Sequence, residues 1–550
     1  MRRAQGGAAL ILFATILVVG AVWFTVGALG RASPSAADRD IRTGQALSAA
    51  KRALLGYVAQ YAARTDHDVP GRFPCPEPLS PASGSEGVAA LNCPGAGAVV
   101  GRLPWRTLGI QPLLDGSGEP LWYVLSPGFR DPPVNFATPA ALNLDAVPGA
   151  AVALVVAPGA PLNTLLDPGT PPSGCTKRNQ AGARFTLPRN PLDFLECGNT
   201  ANAYVSAGST KWINDRAIAV TAAEWADTIA GPVGDRIQRS VAPALRRWNA
   251  LELAATGRSW PVDYLPYASP FGNPALNGYC GSAPPFGLPA EGLSPIARVS
   301  TSCDTAWSSS SLSLLVNLFS QSCTPSGTEM VCSFISLLAA LTSARISVTT
   351  GGGRAAGSFR RPLAANDIGV SIGGTVQNFN LSVSPATGNA TATFDVSFPL
   401  LLPTVIATVR IPNLSDAAIL SLLPGGPMKW FLDNRWERHT YYAAAPGATV
   451  NPAAPCANPG DPGCLVVTGF DATGGNPNDK RLVLVLMGRR LAGQPPICTS
   501  AADCLEGENA SSGDRTFARA APGPAFNDRL AACPFQLAPQ PPGLPVPLCN

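Results

Sequence analysis

The chain has 550 residues, 39 Lys and Arg against 35 Asp and Glu, and a formal net charge of +4. So small a charge on so long a chain, with no basic stripe interleaved with aromatics, excludes a nucleic-acid binder. Only 13% of residues are charged, and 55 glycines with 56 prolines make the chain loop-rich. Glycine and proline are about a fifth of the residues, below the roughly 25–30% of low-complexity disorder. Ten Trp, 20 Phe and 9 Tyr call for packed cores. The length allows two to four domains.

At the start, Arg2 and Arg3 precede an uncharged run from Ala4 to Gly30, closed by Arg31. An apolar run of that length spans a bilayer as a helix. Its short basic start puts the N-terminus in the cytoplasm and everything after Arg31 outside. A cleaved secretory signal, with Ser35-Ala36-Ala37 as its site, is the competing reading, and a plain uncleaved anchor is a third. The run is far longer than the usual apolar region of about 7–15 residues in a cleaved signal. Gly6-Gly7 stands immediately before the apolar core, where a secretory signal has no need of glycine.

Ser33-Pro34 interrupts this helix and can start another, Ser as cap and Pro at the first helical position. Ala36 to Ala63 reads as an Ala-rich helix with Ile41, Leu47, Leu54, Leu55, Val58 and Tyr61 near one face. Turns follow at Pro70–Pro76 and Gly101–Trp105. Asp115–Gly128 (DGSGEPLWYVLSPG) is then a Gly-rich turn feeding a short aromatic strand that a second turn stops.

Two of these segments carry a family resemblance. Arg-Arg-Ala-Gln-Gly ahead of an apolar helix resembles the class III leader of type IV prepilins and type II secretion pseudopilins. Asp115–Gly128 resembles the D-P-W-G-x-P-Y-x-Y-x-S-P-G stretch of the major pseudopilin head, with Ser117 where that family has tryptophan. The resemblance implies cleavage by a prepilin peptidase after Gly6 or Gly7, on the cytoplasmic side, with the helix retained. It also implies other pilins or pseudopilins as partners, and an inner-membrane protein with its head in the periplasm or on the cell surface. Most pilins carry a glutamate five residues after the cut; here that place holds Ile11 or Leu12. In the family this carboxylate pairs with a neighbouring subunit's amine, since an intramembrane charge is costly unpaired. Its absence points to a minor or tip component rather than a repeating filament subunit.

The head reads as a diverged repeat. Val152–Pro158 is followed by Leu195-Glu196-Cys197-Gly198-Asn199 and by Asn214-Asp215-Arg216. Downstream, Arg481–Leu486 is followed by Leu505-Glu506-Gly507-Glu508-Asn509 and by Asn527-Asp528-Arg529. Trp122-Tyr123 has its counterpart in Tyr441-Tyr442, and the first helix has an echo in Thr221–Ala255, followed by Pro261 and Pro266-Tyr267. Between the copies, 300–424 is rich in Ser, Thr, Val and Ile. Ala344–Thr350, Asp367–Val376, Phe379–Val383, Ala390–Phe398 and Val405–Ile411 read as strands, and Leu312–Phe319 and Phe334–Thr342 as short helices. The expected division is a leader at 1–7, a transmembrane helix at 8–30 and a stem with first head at 31–220. A second copy then begins at 221–299, is interrupted by a β module at 300–424 and is completed by 425–550. The fold class is α+β and disulfide-rich: an N-terminal transmembrane and stem helix, a duplicated pilin-like antiparallel-sheet head, and an inserted all-β module.

All 14 cysteines lie at or after residue 75, as close neighbours: Cys75/Cys93, Cys175/Cys197, Cys280/Cys303, Cys323/Cys332, Cys456/Cys464, Cys498/Cys504 and Cys533/Cys549. An even count outside the cytoplasm reads as disulfides, and local pairing is the simplest map. There is no CxxC, and the two histidines, His67 and His439, are isolated, so zinc is not expected. Gly369-Val370-Ser371-Ile372-Gly373 satisfies the nucleophile-elbow pattern, but β sequence follows where that chemistry needs a helix. Gly351-Gly352-Gly353-Arg354 is a turn. Glu196 and Glu506 are each expected alone in their copy, as structural ion pairs with Arg216 and Arg529. Asn199, Asn214, Asp215, Asn509, Asn527 and Asp528 complete the repeated motif as turn residues. Asp115 with Glu119, and Asp471 with Asp479, lie in oxygen-rich loops that are weak calcium candidates, though neither has EF-hand spacing; solvated turns are the simpler reading. The expectation is a non-enzymatic, anchored display protein with no cofactor and no small-molecule substrate. A membrane-anchored periplasmic hydrolase and a plain anchored adhesion module are the alternatives.

Overall fold

The computed structural model describes residues 13–22 and, with short gaps, 35–246. Beyond these it describes 291–294, 307–314, 320–336, 343–350, 365–383, 390–398, 405–412, 428–445, 460–469 and 478–534, again with short gaps, plus Leu265, Ala268, Phe271 and Cys456. Residues 13–22 are helical, with Phe13, Ile16, Leu17, Val18, Val19 and Val22 exposed. Among the described residues no helix is long and apolar enough to cross a membrane. Gly6, Gly7, Ile11, Leu12, Ser33, Pro34 and the segment 261–264 lie outside the described residues.

Two compact units make up the chain. The first comprises Met1–Leu54, Pro74–Pro127 and Ala140–Val220; the second comprises Leu55–Phe73, Gly128–Pro139 and Thr221–Asn550. Helix α1, Ala36–Ala63, runs through the boundary. Its cap is Ser35, not Ser33. Ser35 Oγ accepts the Asp38 N–H at 3.1 Å, and Asp38 Oδ2 accepts the Ser35 N–H at 3.2 Å. Only Ser35 has an acid three residues on to close this reciprocal box. The buried stripe is Thr43, Ala46, Leu47, Ala50, Leu54, Val58 and Ala62. Leu47, Leu54 and Val58 lie on it as expected, whereas Ile41, also expected on it, is 58% exposed; alanines fill the rest of the face.

In the first unit, strands β1 (Val99–Arg102), β2 (Trp122–Leu125), β5 (Ala153–Ala157) and β7 (Arg216–Val220) form one antiparallel sheet in the order β1-β2-β5-β7. The central strands β2 and β5 are buried at every position, which is why they read as unbroken apolar runs. On one face Trp122, Val124, Leu154 and Val156 pack with Phe194, Leu195 and Tyr204. A small side sheet is built from β3 (Leu142–Leu144), β4 (Val147–Ala151) and β6 (Ala203–Tyr204). The Gly-rich turn before β2 docks on α1: Thr43 Oγ1 accepts the Gly116 N–H at 3.0 Å. A Cβ on Gly116 would stand 2.1 Å from the Arg39 carbonyl oxygen, so only glycine fits there.

In the second unit, Thr221 and Glu224 form a capping box for α2, Ala222–Arg236. Trp225, Ile229 and Val233 bury one face of α2. A π turn at Ile237–Val241 leads to α3, Ala242–Arg246. Pro243, which has no N–H to continue the α-helical ladder, is the second residue of α3. The helices pack on β19 (Lys480–Leu486) and β21 (Arg529–Pro534). With β8 (Glu291–Leu293) and β17 (Thr440–Ala444) these strands form a sheet in the order β8-β17-β19-β21. Two short strands, β18 (Val466–Thr468) and β20 (Thr516–Ala518), pair in parallel beside it. Gly71 and Phe129 belong to this unit because Trp225 holds them: its Nε1–H donates to the Gly71 carbonyl at 2.8 Å, and its ring meets Phe129 edge-on at 4.9 Å.

Between β8 and β17 the chain forms two four-stranded antiparallel sheets. One has the order β10-β11-β16-β13 (Ser320–Ser326, Glu329–Ser336, Val405–Pro412, Gly369–Val370). The other has the order β14-β15-β12-β9 (Thr375–Val383, Ala390–Ser397, Ser343–Thr350, Trp307–Leu314). Their inward residues, among them Met330, Phe334, Ile346, Val348, Phe394, Val396, Val409 and Ile411, share one core. Leu312–Leu314 and Phe334–Ser336 are therefore strand, not helix: Met330, Cys332 and Phe334 alternate inward along a strand paired to β16 over its whole length. The remainder of both expected helices lies outside the described residues. The strand expected over Asp367–Val376 breaks at Ser371–Gly374, where Ile372 and Gly373 take positive φ and the chain passes from one sheet to the other.

Disulfides join Cys75–Cys93, Cys323–Cys332, Cys456–Cys464 and Cys498–Cys504. Cys175 and Cys533 are disulfide-bonded too. Cys197, Cys280, Cys303 and Cys549 lie outside the described residues.

Candidate functional site

The repeated motifs close into a hydrogen-bonded frame in each unit. In the first, Asp215 Oδ2 accepts the Glu196 N–H at 2.8 Å and the Asn199 Nδ2–H at 2.9 Å. Asn199 Oδ1 accepts the Val205 N–H at 2.7 Å, which ties the side sheet to the frame. Glu196 Oε2 accepts the Asn214 N–H at 3.1 Å, and Glu196 Oε1 accepts the Gln180 Nε2–H at 2.6 Å. Asn214 Nδ2–H donates to the Ala160 carbonyl at 2.8 Å, and Gln180 Oε1 accepts the Leu162 N–H at 2.8 Å.

The second unit repeats this bond for bond. Asp528 Oδ2 accepts from Glu506 N at 3.0 Å and Asn509 Nδ2 at 3.1 Å, and Asn509 Oδ1 accepts from Ala518 N at 2.8 Å. Glu506 Oε2 accepts from Asn527 N at 3.1 Å and Oε1 from Gln494 Nε2 at 3.1 Å. Asn527 Nδ2 donates to the Arg489 carbonyl at 2.6 Å, and Gln494 Oε1 accepts from Leu491 N at 2.8 Å. The sheet registers agree as well. Trp122 faces Val156 and Arg216 faces Ala157 in one sheet; Tyr441 faces Val485 and Arg529 faces Leu486 in the other. Gly159 and Gly488 then stand two residues past Ala157 and Leu486, each under the motif asparagine. A Cβ on Gly159 would come within 2.8 Å of Asn214, and one on Gly488 within 1.8 Å of Asn527 Oδ1.

Each frame holds two carboxyl groups away from water. Burial, then the neighbouring Glu196 carboxyl, pushes Asp215 far above the usual carboxylate range, and burial raises Glu196 as well. Asp528 is pushed up to about 8, by burial first and then by Glu506, against the lowering effect of the Glu506 N–H. Asp215 Oδ1 and Asp528 Oδ1 are buried with no donor facing them. A buried carboxyl oxygen that no donor meets gains little from being charged, and a second carboxyl close by disfavours the charge further. Burial and the adjacent glutamate therefore favour the protonated form of Asp215 and of Asp528.

This overturns the expected ion pairs. Glu196 and Glu506 are not alone in their copies, and their partner is the motif aspartate, not the arginine. Arg216 instead reaches Asp40 on α1 at 3.0 Å, and Arg529 packs over Gly234 on α2 under the influence of Asp235 and Asp227. In both units the arginine points to the helix because it opens the edge strand that faces it.

The other candidates resolve differently. Asp115 is buried rather than solvated, and its oxygens are taken by the N–H groups of Ser117 (2.8 Å), Glu119 (2.9 Å) and Gly159 (2.8 Å). Glu119 pairs with Arg184 at 3.0 Å. These contacts organise a turn and leave no cation cage; Asp479 meets Lys480, and Asp471 lies outside the described residues. Among the described residues no cluster of three or more His, Cys, Asp or Glu is placed to hold a metal. Ser371 Oγ accepts the Thr408 N–H at 2.7 Å, closing the corner of a sheet rather than presenting a nucleophile. His67 stacks on Tyr61, and His439 Nε2 bonds Asn135 Oδ1 at 3.1 Å, so each imidazole is engaged elsewhere. The turn at 351–354 lies outside the described residues.

Sequence reading missed Gln180, Gln494, Gly159 and Gly488. Both glycines were findable, two positions beyond the matching apolar runs. The glutamines were not, because they stand at different distances from every other motif residue. No protein family, curated protein or solved structure matches the chain.

Proposed function

We propose that the chain is a non-enzymatic, pilin-like or pseudopilin-like display protein of the minor or tip type. Its N-terminal helix anchors it in the inner membrane or in a filament, and its disulfide-stabilised head acts in assembly, adhesion or secretion. The observation that carries this reading is the sequence Gly6-Gly7 and apolar run leading into a 28-residue helix. The Gly-rich turn Asp115–Gly118 docks onto that helix, and an antiparallel sheet follows. The head is an internal duplication: the same sheet order, register, helix position and carboxyl frame occur twice. The β module at 300–424 entered the second copy at the place where the first has its β1–β2 connection. A chain built of framed, disulfide-closed sheets, with its buried carboxyl pairs consumed by its own backbone, is equipped to be held and displayed.

The test is recovery of filaments sheared from cells that express the chain with its prepilin peptidase. The full chain is expected in the sheared fraction at far below the level of the major pilin, and absent from it when the peptidase is deleted. Recovery independent of the peptidase would refute the pilin reading and favour a plain anchored module.

A further inference from the structure

The two frames are superimposable in their bonds up to one point. From Leu162 to its glutamine the first frame spans 18 positions; from Leu491 to its glutamine the second spans three. The first copy therefore carries an extra loop on an otherwise unchanged scaffold. That loop does not fill the core. Leu165 is 53% exposed and Leu166 88% exposed, and Leu192 beside it is 45% exposed. Two lysines, one in the loop and one from outside it, bond the chain next to them: Lys177 Nζ donates to the Asp167 carbonyl at 2.7 Å, and Lys211 Nζ donates to the Pro168 carbonyl at 3.2 Å. Lys211 also lies over the Trp212 ring at 5.2 Å. Arg178 is balanced by Asp193 at 2.8 Å, whereas among the described residues neither lysine has an ion pair. Asp167 is the one acid within the loop.

The root of the loop is fixed next to the start of α1. Gly159 N–H donates to Asp115 Oδ2, and Gly116 of the same turn abuts Arg39. Asn214 binds the Ala160 carbonyl, and its neighbour-but-one Arg216 reaches Asp40. Asp40 is only ten positions beyond the end of the apolar run at Gly30. Exposed leucines flanked by lysine amines and a tryptophan are the composition of a segment seated at a bilayer surface, where the apolar tips enter the acyl boundary and the amines meet anionic headgroups.

We infer that the 161–179 loop is a second membrane contact, a foot that dips Leu165 and Leu166 into the anionic lipid surface beside the anchor. This rests on the anchor reading above for the loop's distance from the bilayer. It also explains why the second copy, with no anchor of its own, lacks the loop.

The full chain would be reconstituted into vesicles of phosphatidylethanolamine and phosphatidylglycerol carrying a diazirine phospholipid, irradiated, digested and mapped by mass spectrometry. Lipid adducts are expected on peptides from 8–30 and from 161–178. Leu165→Asn with Leu166→Asn should cut the 161–178 adducts about tenfold while leaving those of the anchor unchanged. Lys177→Gln with Lys211→Gln should cut them in phosphatidylglycerol vesicles but not in phosphatidylcholine vesicles. An adducted anchor with an unlabelled loop would overturn the inference and spare the anchor. A labelled loop with an unlabelled anchor would sustain the inference and sink the anchor reading. Loop labelling indifferent to the leucine substitutions would also overturn it.

Discussion

Asp528→Ala and Asp528→Asn separate the two things the buried aspartate does. Its Oδ2 is the acceptor for two donors, Glu506 N–H and Asn509 Nδ2–H, in a residue only 3% exposed. Alanine strands both, and a buried unsatisfied donor costs about 1–3 kcal/mol, so a loss of about 2–6 kcal/mol is expected. Asparagine keeps the acceptor and is neutral, as the protonated acid is, so its cost should stay below about 1 kcal/mol. The pH dependence should differ more sharply. The folded carboxyl titrates at about 8, the unfolded one at about 3.9. Between these values the folded state holds a proton that the unfolded state has lost, so stability falls as pH rises, by at most ~1.4 kcal/mol per pH unit. The contribution is complete below about pH 4 and gone above about pH 8. Urea unfolding at about pH 5, 7 and 9, read by hydrogen exchange of β19 and β21 peptides, scores the second unit on its own. The reasoning fails if Asp528→Asn retains the wild-type slope, or if Asp528→Ala costs less than about 0.5 kcal/mol.

Asp215→Asn and Asp215→Ala should reproduce that contrast in β5 and β7 peptides, because the first frame has the same bonds. On the acid side, burial holds His439 down to about 4, so the stability it confers is full above about pH 6.5 and lost as pH falls toward 4. His439→Gln, assayed by thermal melts across that window, should flatten this acid limb. Gly488→Ala places a methyl within 1.8 Å of Asn527 Oδ1, and should cost about 2 kcal/mol or more by displacing that side chain from the Arg489 carbonyl. Gly488→Ala melting with wild-type stability would contradict the packing. Replacing Cys75 and Cys93 by Ala opens a loop of 18 residues and should cost about 2–4 kcal/mol in a denaturation series.

The elements most legible in the sequence were those whose burial is uniform. Trp122–Leu125 and Ala153–Ala157 are central strands covered on both faces, so their apolar runs declared them. Helix α1 was found to the residue, and Leu47, Leu54 and Val58 lie on its buried stripe as expected, but Ala46, Ala50 and Ala62 share that stripe while Ile41 is exposed, and no hydropathy pattern ranks alanine above isoleucine. Phe334–Ser336 was misread because Phe334, Ile335 and the apolar residues after them look like a helix turn, whereas Phe334–Ser336 ends a strand that begins at Glu329. The motif residues were all named, but their partners were not. Opposite charge suggested glutamate with arginine, whereas the fold places glutamate against aspartate, with Asp215 Oδ1 and Asp528 Oδ1 left without a donor.

The N-terminus is the most direct test of the whole account. Intact-mass and N-terminal peptide analysis of the chain, purified from membranes of cells co-expressing a prepilin peptidase, should show a start at Gly7 or Ala8 with the apolar run retained. A chain beginning at Met1, or one cut beyond Gly30, would contradict it.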